Sequence, residues 1–153
     1  MDFKTVEEVI NYACEKESEA AEFYENAKND DNFAGIKEVL ANFALEERKH
    51  EAMLKDFSKD KKKLEGYKFK SVSDLKISDY MTEIVYKPGI NYPDLLRLAM
   101  KREEEAYNFY KDFCDQMEDE KLYKIFKILS QEEAKHKNIL ETKYDDFLAS
   151  QGM

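Results

Sequence analysis

The chain has 153 residues, 42% hydrophobic and 39% charged, with a net charge of −9. That length suits one domain, and four Gly with two Pro are too few for the turns of a β-sandwich or barrel. No apolar run approaches the ~18–20 residues that cross a bilayer, and an acidic surface repels phosphate backbones, so neither membrane nor nucleic acid is an expected partner. Residues 1–8 lack the basic stretch and apolar core of a signal peptide, which makes the cytoplasm the expected location.

The first predicted helix runs from about Thr5 to Lys28, opened by a Thr5/Glu8 pair at capping-box spacing. Its core stripe is Val6, Ile10, Ala13, Glu17, Ala20 and Tyr24. After a break at Asn29–Asn32, a second helix is expected over about Phe33–Lys59, with Leu40, Phe43, Glu47, His50 and Leu54 on its stripe. A connection of about 60–91 follows. Its basic Lys59–Lys63 run reads as a solvated loop, Ser73–Val85 as a short amphipathic helix, and Lys87-Pro88-Gly89 as a turn. The third helix, about Tyr92–Met117, carries Pro93 in its first turn and the stripe Leu96, Ala99, Glu103, Ala106, Tyr110. The fourth, about Asp119–Leu148, shows Leu122, Phe126, Leu129, Glu133, His136 and Leu140. Two hairpins, about 5–59 and 92–148, thus make one all-α domain spanning 1–153. Helices of ~25 residues are ~38 Å long, and an extended linker at ~3.3 Å per residue covers that distance. The expected arrangement is a four-helix bundle with a long crossover between helices two and three.

The hairpins repeat one another. At an offset of 86, Glu17 meets Glu103, Tyr24 meets Tyr110, Glu47 meets Glu133 and His50 meets His136. Each half carries Glu-x6-Tyr and then Glu-Glu-x-Lys-His, and the motif uses both histidines of the chain. All six ionisable residues lie in register with aliphatic neighbours, and Glu47/His50 and Glu133/His136 share a helix face. A buried, uncompensated carboxylate costs several kcal/mol, and the stripes themselves offer no inward Lys or Arg. Two divalent cations would balance four carboxylates, and an oxygen-plus-imidazole donor set favours iron or manganese, singly or mixed. The two cysteines, Cys14 and Cys114, form no Cys-x-x-Cys and are ~12 Å apart along the bundle axis, so neither a cluster nor a disulfide is expected. Cys14 reads as a small core residue, Glu46 and Glu132 as exposed or lying behind the ligands, and Tyr107 as within reach of the site.

Lys-Glu-Ser-Glu-Ala-Ala-Glu-Phe-Tyr at 16–24 and Leu-Glu-Glu-Arg-Lys-His at 45–50, repeated at 102–110 and 131–136, resemble the rubrerythrin family of the ferritin-like superfamily. The resemblance covers all four helices. It implies a ferritin-like fold and a centre of two iron ions, with Glu17 and Glu103 as terminal ligands, Glu47 and Glu133 as bridging ligands, and His50 and His136 as nitrogen ligands. Tyr24 and Tyr110 would hydrogen-bond ligand carboxylates. The implied activity is non-haem di-iron reduction of hydrogen peroxide to water. With no rubredoxin-type cysteine motif here, electrons would come from an external donor such as a rubredoxin. Typical members carry a further Glu three residues beyond the third-helix ligand; this chain has Ala106. The resulting symmetric set also suits a ferroxidase that consumes dioxygen in iron storage or detoxification. A helical bundle with a structural metal only is the third reading. By resemblance the assembly would be a homodimer, and the long crossover would permit exchange of helix pairs between chains.

Overall fold

The computed structural model describes residues 3–70 and 81–152. The described residues form five α-helices and one 3-10 helix: α1 (Val6–Ala27), the 3-10 helix (Asp31–Ile36), α2 (Lys37–Asp56), α3 (Lys61–Gly66), α4 (Tyr92–Cys114) and α5 (Glu120–Ser150). The architecture is the expected all-α, ferritin-like bundle, in which α1 packs on α2 and α4 on α5. No helix among the described residues is long and apolar enough to cross a membrane.

Local chemistry sets the helix ends. Thr5 Oγ1 accepts the Glu8 N–H at 3.1 Å, and the Glu8 carboxylate returns to the Lys4 N–H at 3.2 Å. Asn91 caps α4 through the Asp94 N–H at 2.9 Å, and Asp119 caps α5 through the Leu122 N–H at 3.0 Å. Such caps satisfy backbone donors that the helix itself leaves unpaired.

Three boundaries differ from the sequence reading. The second helix does not start at Phe33. Asp30 captures the Asn32 N–H at 2.9 Å, Phe33 sits at φ −113°, ψ 22°, and regular α-helix begins at Lys37. An Asx turn outcompetes the helix here, and it buries the Phe33 ring against the hairpin end. The third helix stops at Cys114 instead of Met117, because residues 116–118 pair with the crossover: Lys70 N–H donates to Gln116 O at 2.7 Å and Glu118 N–H to Lys68 O at 3.2 Å. The Lys59–Lys63 run is not a loop throughout. Asp60 caps α3 through the Lys63 N–H, and Leu64 is buried while Lys61–Lys63 face solvent.

The expected helix at 73–85 lies outside the described residues up to 80, and its described end, 81–85, is not helical. There the backbone donors go to side chains of α1 and α4 instead. Met81 N–H donates to the Tyr12 hydroxyl at 2.9 Å, Thr82 N–H to Glu105 at 2.8 Å and Ile84 N–H to Glu19 at 2.6 Å. The Lys87–Ile90 turn closes with a 3.2 Å hydrogen bond, and Gly89 holds φ 91°, the left-handed position that this turn needs at its third residue.

The apolar core is divided. One cluster, around Val9, Ile10, Phe113, Leu122 and Phe126, fills the end built from the start of α1 and the end of α4. The other, around Tyr24, Phe33, Leu40, Leu96 and Leu140, fills the opposite end. Between them lies a layer of polar side chains. Replacing Phe126, fully buried, by Ala should cost about 3–5 kcal/mol through lost burial and a residual cavity. Ile128→Ala, at a 45% exposed position on the same helix, should change stability by less than about 0.5 kcal/mol. Urea denaturation of both variants measures the contrast.

Candidate metal centre

Each of the four long helices delivers one glutamate to the polar layer, and α2 and α5 add a histidine one turn further on. Glu17, Glu47, Glu103 and Glu133 have no exposed surface, and His50 and His136 are also buried. The structure brings all six together in two groups. Glu17, Glu47, His50 and Glu133 form one; Glu47, Glu103, Glu133 and His136 form the other, with candidate ligand atoms within 4.8 Å of one another in each. Glu47 and Glu133 belong to both.

The contacts follow the sequence repeat. His50 Nδ1 lies 3.4 Å from Glu17 and 3.1 Å from Glu133; His136 Nδ1 lies 3.5 Å from Glu103 and 3.1 Å from Glu47. The tyrosines cross between hairpins: Tyr24 donates to Glu103 Oε1 at 2.6 Å, and Tyr110 donates to Glu17 Oε1 at 2.5 Å. Applying the 86-residue offset exchanges the members of each pair.

A donor set of four carboxylates and two imidazoles without thiolate suits iron or manganese. Among the described residues, Glu17 Oε2, Glu133 Oε1, both Glu47 oxygens and the Nδ1 atoms of His50 and His136 are buried without a partner in hydrogen-bond geometry; they face one another and Arg102 at 3.0–3.6 Å. Orphaned polar atoms are rare in folded proteins, and these six converge on one space. The residues present therefore fit a pair of divalent metals, with Glu17 and His50 on one side, Glu103 and His136 on the other, and Glu47 and Glu133 between.

One residue corrects the sequence reading. The stripes offered no inward Lys or Arg, yet Arg102 is 3% exposed and lies within the centre. Its guanidinium is 3.0 Å from Glu47, 3.2 Å from Glu103 and 3.6 Å from Glu17, and makes a close ion pair with Glu133. Arg102 sits one residue off the stripe, ~100° around the helix, so periodicity pointed it elsewhere; its long side chain reaches back. Only the type of residue at 102, a long cation flanking a buried acid, carried any signal. Glu46 was expected to be exposed or behind the ligands, and its half-exposed carboxylate lies 2.5 Å from His136 Nε2, where it orients the ring. Its repeat partner Glu132 faces Lys135 instead, at 3.8 Å. Tyr107 is half-buried and stands under Lys111. Cys14 is partly buried and Cys114 buried, and both are free thiols.

Burial and the neighbouring charges compete over protonation in the metal-free centre. Burial raises Glu47 well above the carboxylate range and Glu103 to about 7. Burial also opposes ionisation of Glu133, but the Arg102 charge and then the nearby His50 ring outweigh it and hold this group well below 4.5. For the histidines burial works downward, yet the facing carboxylates of Glu133 and Glu17 lift His50 to about 10, and that of Glu103 lifts His136 to about 9. Both phenols are pushed well above 10, by burial first and then by the charge of Glu103 on Tyr24 and of Glu17 on Tyr110.

The rubrerythrin family model matches residues 8–144. The chain belongs to the rubrerythrin family. A hypothetical protein from Pyrococcus furiosus has a similar structure, with a TM-score of 0.75 and 27% identity, covering 94% of this chain and 90% of that one. Comparison with curated proteins finds no match.

The raised groups share one sign. His50 and His136 contribute stability that is complete below 6.5 and is lost as pH rises through about 9 and 10. Glu103 contributes below 4.5 and loses its share on the way to about 7. Glu133 acts oppositely, with stability present above 4.5 and lost in stronger acid. The metal-free protein should therefore melt at its highest temperature in mild acid and lose several degrees between about pH 6 and 10. Mn²⁺ should restore the loss at alkaline pH, where the ligands are free of protons. Melting curves across that range, with and without Mn²⁺, measure both effects.

Proposed function

We propose that this rubrerythrin-family protein is a non-haem di-iron oxidoreductase that reduces hydrogen peroxide to water with electrons from an external donor. The observation that carries the reading is the buried, two-fold set of four carboxylates and two imidazoles, whose ligand atoms converge between the hairpins. Bound as a diferrous pair, the metals would supply the two electrons that, with two protons, convert H₂O₂ into two waters.

The protein's own residues would hold, orient and protonate. Glu17 with His50 and Glu103 with His136 give each metal a terminal carboxylate and an imidazole, while Glu47 and Glu133 are shared. Glu46 fixes the His136 ring through Nε2, leaving Nδ1 facing the centre. Tyr24 and Tyr110 fix the terminal carboxylates and, being held well above 10, keep their protons at Oη, next to the site, across the physiological range. The two apolar clusters flank the layer and exclude bulk water. A rubredoxin is the kind of carrier that would return the electrons. A homodimer is the assembly this reading takes, with the long crossover allowing helix pairs to be exchanged.

A second reading, ferroxidation of Fe²⁺ with dioxygen as oxidant, is favoured by one observation. Ala106 is fully buried among apolar side chains, so no fifth carboxylate joins the symmetric set. Stopped-flow oxidation of anaerobically Fe²⁺-loaded protein by matched peroxide and dioxygen separates the two. We expect peroxide to be faster by at least about tenfold; oxidation by dioxygen at an equal or greater rate replaces the first reading with the second. Glu47→Ala, which removes a ligand common to both groups, should abolish stoichiometric iron binding. Equal iron in variant and wild type on metal analysis would leave neither redox reading standing.

A further inference from the structure

The two halves of the chain treat equivalent cations differently. Lys16 and Arg102 occupy matching positions in the repeat, each just before a glutamate of the centre. Lys16 stays outside: its ammonium lies 3.4 Å from Glu19, one turn on, and over the Tyr12 ring. Arg102 turns inward and contacts all four buried glutamates. The repeat equivalent of Glu19 is Glu105, three residues after Arg102 and within reach of it on the same helix. Glu105 Oε2 accepts from the Thr82 N–H and hydroxyl at 2.8 and 3.1 Å, whereas Glu105 Oε1 is buried without a hydrogen-bond partner among the described residues. An orphaned carboxylate oxygen calls for a donor, and the first half of the molecule shows which residue supplies it.

We propose that Arg102 is a two-position counter-cation, seated among Glu17, Glu47, Glu103 and Glu133 when the centre holds no metal and transferred to Glu105 when metal enters. The inference rests on the reading of the cluster as a metal centre. The inward guanidinium touches Glu47 and Glu133, the two residues shared by both ligand groups, and one further glutamate from each group. A divalent ion bound by those oxygens would stand within ~4 Å of the guanidinium, and like charges that close in a dry interior repel strongly. Arginine suits the inward seat because its planar fork presents five donors to several carboxylates at once. The outward seat answers the orphaned Glu105 oxygen and copies the Lys16–Glu19 pair. Metal and inward Arg102 are thus alternative occupants of one set of lone pairs. By linkage, whatever stabilises the inward seat weakens metal binding by the same factor, and whatever stabilises the outward seat strengthens it.

The experiment is a Co²⁺ titration of metal-free protein, followed by calorimetry and by the visible absorption of bound Co²⁺. Wild type, Arg102→Met, Glu105→Gln, the double variant and Lys16→Met are compared, with melting curves for each metal-free form. Arg102→Met should bind Co²⁺ at least about tenfold more tightly and melt lower without metal. Glu105→Gln should bind about threefold or more weakly, that loss should vanish in the double variant, and Lys16→Met should match wild type. Unchanged or weaker binding by Arg102→Met overturns the proposal. Should that variant not fold, Glu105→Gln decides alone, since unchanged affinity there removes the outward seat. A crystal structure of Co²⁺-loaded wild type with the guanidinium still between Glu47 and Glu133 overturns it directly. Wild type that takes up no Co²⁺ overturns the metal centre itself, an outcome distinct from wild type and variants binding equally.

Discussion

Four carboxylates lie in one water-excluded layer, and the fold can hold them there only with positive charge beside them or protons on them. Removing such groups from water costs several kcal/mol each unless they are paired, more than a small domain has to spare. The layer also interrupts the apolar core, so the two hydrophobic clusters stabilise the ends of the bundle and not its middle. In the middle, contacts between hairpins are polar. Tyr24 reaches Glu103, Tyr110 reaches Glu17, and each histidine faces the shared glutamate of the opposite hairpin. The hairpins are joined at their centre through charge, and the state of that charge decides how tightly they are joined.

The duplication explains both the order of the centre and its departures from symmetry. The four glutamates, two histidines and two tyrosines obey the repeat because each meets the same chemical need on both sides of one buried space. Residues that only flank the site are free to differ, and they do. Glu46 supports His136 while Glu132 pairs with Lys135, and Phe43 stacks on His136 at 4.1 Å where the equivalent position by His50 holds Leu129. Arg102 enters while Lys16 remains outside. The two halves thus offer the same six side-chain types in different surroundings.

The four long helices, the fold class and the six clustered residues were legible because they follow rules that repeat along the chain: apolar spacing of three and four, and an acid or imidazole standing where a leucine belongs. What periodicity could not reveal lies off the stripe or outside helices. Arg102 was missed because a flexible side chain need not point where its Cα does. The start of α2 was misplaced because an Asx turn at Asp30 is a local contest between side chain and backbone that apolar spacing does not register. The end of α4 was set by pairing with residues 68–70, a long-range contact. At Met81–Val85 the buried Met81 and Ile84 matched an amphipathic helix, yet carboxylates on two other helices claimed the backbone donors.

Those carboxylates tie the crossover to the centre. Glu19 and Glu105 each stand two residues after a terminal glutamate of the cluster, on helices α1 and α4, and each accepts a backbone N–H from the connection. Hydrogen bonds to ionised acceptors contribute about 1.5–3 kcal/mol apiece, so the connection between hairpins is held on the helices at the level of the site. It also meets negative charge that would otherwise add to the four buried carboxylates nearby. Glu19 is satisfied on both sides, by Ile84 and Lys16; Glu105 is satisfied on one, by Thr82. The unmatched oxygen of this outer ring therefore stands beside the arginine of the inner ring, three residues apart on a single turn of α4.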